Sequence, residues 1–140
     1  MDRQELIKQV ITYLRISTME EKENNGTLKY YQMSNIEKNV QELKVMLDNN
    51  EDFLLLDVRT ENEVLVSKIS DKSIHIPMNE IPNRLTDLDS NKEIIVYCKS
   101  GKRSAKVCEY LELNNYTNVK NLSGGILAWA EQIDSSILVY

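Results

Sequence analysis

The stretch IIVYCKSGKRSA, Ile94 to Ala105, puts a cysteine at the end of an apolar run and directly before Lys99, Ser100, Gly101, Lys102, Arg103 and Ser104. Cysteine acts as a nucleophile through its thiolate, so the chemistry turns on what stabilises an anion at that point. A short loop can curl its backbone N–H groups inward, and the N-terminus of a following helix adds the positive end of a dipole. Gly101 permits a positive φ and close backbone approach. Lys99, Lys102 and Arg103 contribute formal positive charge. A cysteine with only a packing role is more usually surrounded by apolar residues. Cys98 is therefore predicted to be an anion-cradled nucleophile, with residues 99–104 as the groups that bind its substrate.

The remaining chemically capable residues read as structural. Cys108 lies ten positions further on, at a core-facing helical position, and reads as packing; a resolving role is the weaker alternative. Two cysteines do not make a disulfide framework, and with no C-x-x-C pair and His75 as the one histidine a zinc site is disfavoured. A Cys-His dyad would have to use His75, which reads as a strand residue. Arg59 and Glu63, four apart at a helix start, are expected to form an ion pair. Asp57 is expected to make structural hydrogen bonds, and Trp129 to lie in the core. There is no G-x-G-x-x-G and no Walker-type phosphate loop, and no metal or organic cofactor is implied.

The elements that must position Cys98 follow from length and pattern. A chain of 140 residues is expected to form one domain with a working core, and a net charge of −5 without a basic stripe argues against nucleic acid as a partner. No apolar run approaches the roughly 20 residues of a membrane span. The N-terminus MDRQELIKQVITYL resembles neither a signal nor a transit peptide, so the chain is expected to act where it is made, the cytoplasm or the plastid stroma for an organelle-encoded chain, or to have already lost a targeting segment. Residues 3–16 show helical spacing of apolar positions, and TMEEKENNG reads as a polar linker, so residues 1–30 are set apart from a domain over 31–140. Within that domain LKYYQMS, FLLLDV, SIHIP, EIIVYC and NVKNL read as strands. Capping boxes at Asn39–Glu42 and Thr60–Glu63 open two helices. Residues 79–88 read as helical turns, Ser104–Leu113 as a helix facing inward through Ala105, Val107, Cys108 and Leu111, and ILAWAEQI as a helix following Gly124-Gly125. Strands alternating with helices predict an α/β fold, a central mainly parallel sheet with helices on both faces. Cys98 then lies at the carboxyl end of a strand, where such sheets bind ligands.

Cys98 to Arg103 is C-x4-R, and it resembles the C-x5-R loop of phosphotyrosine-type phosphatases with one residue removed. The smaller ring of donors would crowd a phosphoryl group yet fit a single extra sulfur atom. LLLDVRTENEV, IHIP, IIVYCKSGKRSA and NVKNLSGGILAWA together resemble a rhodanese domain in order and spacing, over roughly Ile36 to Ile133. That resemblance implies a rhodanese-like fold and a sulfurtransferase in which Cys98 carries a persulfide. The closing WAEQIDSSILVY is more particularly similar to the rhodanese domain that ends MoeB/ThiF-type adenylyltransferases. The implied partners are a small sulfur donor, thiosulfate or a protein persulfide, and a ubiquitin-like sulfur carrier of molybdopterin or thiamine-type delivery. The adenylating domain has no counterpart here, which reads as a fragment or as a stand-alone relative. The alternatives to sulfur transfer are a cysteine-based phosphatase or arsenate reductase, and a non-catalytic rhodanese-like interaction module.

Overall fold

The computed structural model describes residues 2–6 and 36–139. Of the N-terminal helix expected over 3–16, residues 3–6 are helical, with Asp2 accepting from the Glu5 backbone N–H at 2.8 Å. The rest of that helix, the polar linker and the strand expected in LKYYQMS lie outside the described residues.

From Glu37 the chain builds one sheet of five parallel strands. Its elements in order are β1 (Glu37–Lys38), α1 (Val40–Asp48), β2 (Leu54–Asp57), α2 (Glu61–Val66) and β3 (Ser73–His75). Two 3-10 segments (Met78–Asn83 and Leu85–Asp87) lead to β4 (Ile94–Tyr97), α3 (Lys102–Leu113), β5 (Val119–Leu122) and α4 (Gly125–Gln132). The spatial order is β1-β5-β4-β2-β3. β1 has only two residues, paired with Asn121 and Leu122, too short to leave a strand signature in sequence.

Crossover handedness places the helices. The step from β1 to β2 and the step from β4 to β5 run in opposite directions across the sheet. Right-handed crossovers therefore put α1 and α3 on opposite faces. The core divides accordingly: Leu56, Ile94 and Val96 point with Val107, Cys108 and Leu111 of α3 into one cluster. Leu55, Ile95 and Tyr97 point with Val40, Leu43, Ile126 and Trp129 into the other. Strands buried on both faces explain why FLLLDV and EIIVYC are continuous apolar runs and not alternating ones. Both capping boxes form as expected, at Asn39–Glu42 and Thr60–Glu63.

α3 begins two residues before the expected Ser104. Gly101 takes a left-handed conformation, φ 99°, and serves as the N-cap, so Lys102 and Arg103 belong to the first turn of the helix. Helical spacing from Val107, Cys108 and Leu111 turns Ser104 inward, where it is fully buried, and leaves the expected Ala105 half-buried.

Candidate active site

The chain departs from β2 towards β3 on one side and from β4 towards β5 on the other, so the carboxyl ends of β2 and β4 form the switch point of the sheet. Cys98 stands there, one residue past β4. Its side chain is not at an open loop tip: the residue is 1% exposed and packs with Leu56, Val58 and Val96. Both cysteines are buried, so what separates them is polarity. Cys98 Sγ accepts from the Gly101 N–H at 3.1 Å, the Ser104 N–H at 3.4 Å and the Ser104 hydroxyl at 3.3 Å.

These donors decide its ionisation. Burial is the largest single influence and opposes the thiolate, but the Ser104 hydroxyl, with the N–H groups of Ser104, Gly101 and Ser100, outweighs it and holds the Cys98 pKa below the ordinary thiol value. Hydrogen bonds lead this effect, ahead of the loop lysines. For Cys108 burial, reinforced by Glu112 and Glu109, drives the pKa up, and the thiol stays protonated.

Arg103 is engaged elsewhere. Its guanidinium grips Glu63 with two bonds, Nη1 to Oε1 at 2.8 Å and Nη2 to Oε2 at 3.0 Å. That corrects the expected Arg59–Glu63 pair. Arg59 instead turns back on Asp57, two residues away, with Nη2 at 2.8 Å from Oδ2, and donates to the Ser67 carbonyl at 2.7 Å. The reason is position. Arg59 precedes the N-cap of α2 and is buried beneath the corner, 5.6 Å from the Tyr97 ring, while Glu63 faces α3. Arg59 thus ties the strand end to the far end of α2, and α2 presents Glu63 to Arg103 in the first turn of α3. His75 bonds the Arg59 carbonyl at 2.7 Å, a structural role, and Trp129 lies in the core. Lys99 and Lys102 make no ion pair among the described residues, and Ser100 is exposed on the rim.

Two contributors escaped the sequence reading. α4 clamps the loop from behind: the Ile126 N–H donates to the Cys98 carbonyl at 3.0 Å and the Leu127 N–H to the Lys99 carbonyl at 3.1 Å. Gly125, φ 58°, makes this approach possible, since a Cβ there would collide with the Cys98 and Lys99 carbonyl oxygens. Gly124-Gly125 signals a turn in sequence, but its contact with a loop more than twenty residues earlier is visible only in three dimensions. The second is Asn121 of β5, which accepts from the Ser104 hydroxyl and donates to the Gly101 carbonyl at 3.0 Å.

The family model for the rhodanese-like domain matches residues 39–132. The chain belongs to that family. Among relatives of this rhodanese-like domain, a sulfurtransferase of Allochromatium vinosum is 41% identical over 88 residues, 63% of this chain and 81% of that one. A rhodanese-like domain protein from Staphylococcus aureus, solved by crystallography, matches with a TM-score of 0.65 at 33% identity, covering 75% of this chain and 98% of that one. The maize adenylyltransferase and sulfurtransferase MOCS3-2 is 31% identical over 106 residues, and the match takes in 71% of this chain but 22% of the maize protein. Relatives named as sulfurtransferases support sulfur transfer of the rhodanese type. No helix among the described residues is long and apolar enough to cross a membrane.

Proposed function

We propose that this rhodanese-like domain carries sulfane sulfur on Cys98, taking it from a small anionic donor such as thiosulfate and passing it to a nucleophilic acceptor. The observation that carries the reading is the convergence of the Gly101 N–H and both Ser104 donors on a thiol whose ionisation they favour. In the first step the Cys98 thiolate attacks the outer sulfur of thiosulfate. A bond forms between Sγ and that sulfur, the sulfur–sulfur bond of the donor breaks, and sulfite leaves with the electron pair. The negative charge passes to the outer sulfur of the persulfide, where the N–H groups of the loop stabilise it. In the second step the acceptor attacks that outer sulfur, and the Cys98 thiolate leaves.

Lys99 and Lys102 draw the anionic donor to the loop. Arg103, held by Glu63, adds a fixed positive charge whose field reaches Cys98. Ser100, Gly101 and Ser104 line the cradle itself. A ubiquitin-like sulfur carrier is the protein acceptor we favour, from the likeness to adenylyltransferase-linked relatives, and the cytoplasm the compartment.

Mass spectrometry tests the reading. Incubation with thiosulfate should add one sulfur atom to the wild-type chain, removable by cyanide or a reducing thiol, and the Cys98→Ser variant should gain none. Because Cys98 is part of the core, that variant should also be measurably less stable. A wild-type chain that never takes up sulfur, or that turns over an aryl phosphate instead, overturns the assignment.

A further inference from the structure

Asn121 is 5% exposed and sits on β5, beside the strand that delivers Cys98. Its carboxamide touches Gly101 and Ser104, two of the residues that donate to the sulfur. Nδ2 donates to the Gly101 carbonyl at 3.0 Å and to Glu37 Oε1 at 3.2 Å, two groups that can only accept. They fix the orientation of the amide, so Oδ1 faces the Ser104 hydroxyl. That hydroxyl has one proton and two acceptors within reach, Asn121 Oδ1 and Cys98 Sγ.

We propose that Asn121 is a positioning residue whose carboxamide oxygen competes with Cys98 Sγ for the single Ser104 proton, and so favours the sulfur-loaded cysteine over the bare thiolate. The role rests on the sulfur-carrying reading above; the competition itself does not. When Sγ bears a full charge it draws the Ser104 proton, because a hydrogen bond to an ion is about twice as strong as one between neutral groups. Asn121 Oδ1 is then buried without another donor among the described residues, a costly state. When sulfur is loaded, Sγ becomes a neutral bridging atom and the charge moves one bond outward. The Ser104 proton returns to Asn121, and both polar groups are satisfied.

The charged and titratable groups around Cys98 stay in place in the test variants. They are Lys99, Lys102 and the Glu63-bound Arg103 of the loop and α3, Cys108 of α3, the Arg59-bound Asp57 of β2, and Glu37 of β1.

Asn121→Leu keeps the branched heavy-atom skeleton and removes the acceptor. The partners left behind remain bonded, Gly101 O by the Ala105 N–H at 3.2 Å and Glu37 by the Ser123 hydroxyl at 2.6 Å. The readout is the pH midpoint of Cys98 alkylation, followed at that site by peptide mass. In Asn121→Leu the midpoint should fall by about one pH unit, the equivalent of one neutral hydrogen bond. In the Ser104→Ala background the same substitution should leave it unmoved. At fixed thiosulfate and sulfite, the ratio of loaded to free Cys98 should fall about tenfold in Asn121→Leu. A midpoint that stays or rises, or that falls equally in both backgrounds, overturns the proposal. Should Asn121→Leu fail to fold, Asn121→Asp offers the same skeleton with a stronger acceptor: the midpoint should rise, and the rise should shrink with Ser104→Ala. An undiminished rise overturns it. Failure of the sulfur-carrying reading shows separately, as a wild-type chain that takes no sulfur, because alkylation needs no sulfur donor.

Discussion

Replacing Glu63 by Gln should remove one acid-sensitive component of stability while sparing the helix cap. Arg103 holds the Glu63 carboxyl at a pKa of about 2, against the usual 4.5. The folded-state pKa is lowered, so the stabilisation is complete above the unfolded value and is lost as pH falls from about 5 through 2. A difference of 4.5 minus 2 corresponds to an upper limit of roughly 3 kcal/mol at about 1.4 kcal/mol per pH unit. Glu63 is 15% exposed but Arg103 is 35% exposed, so solvent screens the pair, and about 1–2 kcal/mol is the working figure. Gln can still accept from the Thr60 N–H at the third helical position, so the capping box survives and the change isolates the ion pair. The assay is urea unfolding at pH 6, 4 and about 2.5, followed by the fluorescence of Trp129, the one tryptophan, which is buried. The gap between wild type and Glu63→Gln should be about 1–2 kcal/mol at pH 6 and should close towards pH 2. Two curves that descend in parallel would refute the assignment of this pair as the acid-sensitive link between α2 and the start of α3.

Two further outcomes follow from the clamp and from the contrast between the thiols. Gly125→Ala should destabilise the fold by about 2–4 kcal/mol, from the left-handed backbone and from overpacking against the Cys98 and Lys99 carbonyls, and should lower sulfur loading; denaturant midpoints and loading by mass check both. Near neutral pH, Cys98 should alkylate well before Cys108, which should react only on unfolding; equal labelling rates in the native protein would contradict the opposite pKa directions of the two thiols.

Local physics made most of the fold readable. FLLLDV and EIIVYC announce doubly covered strands because burial on both faces forbids alternation, and Asn39 and Thr60 announce helix starts because their partners Glu42 and Glu63 lie three residues on. Gly101 pointed to a special backbone, yet its role as N-cap advanced α3 by one half-turn, and Ser104, expected in the substrate-binding loop, is a helical residue bonded to the sulfur. Arg59 and Glu63 misled because four-residue spacing is a rule for residues within one helix, and Arg59 lies before the N-cap. Their true partners, Asp57 and Arg103, are set by the corner after β2 and by the approach of α3. Asn121 had no local signal at all: an Asn near the end of a strand becomes part of a thiol site only through the adjacency of β5 and β4.

The clamp from α4 also gives the site a place in the history of the chain. Synthesis runs from the N-terminus, and the loop bearing Cys98 is made well before Ile126 and Leu127, whose N–H groups hold its carbonyls. Until α4 docks, the loop backbone lacks two of its fixed anchors, the N–H groups of Ile126 and Leu127. In an unfolded chain Cys98 lacks its hydrogen-bond donors and is an ordinary, mostly protonated thiol. The loop and α3 supply the donors to Cys98, and α4 holds the loop backbone that presents them, so the lowered thiol pKa is a property of the assembled corner and not of the local sequence.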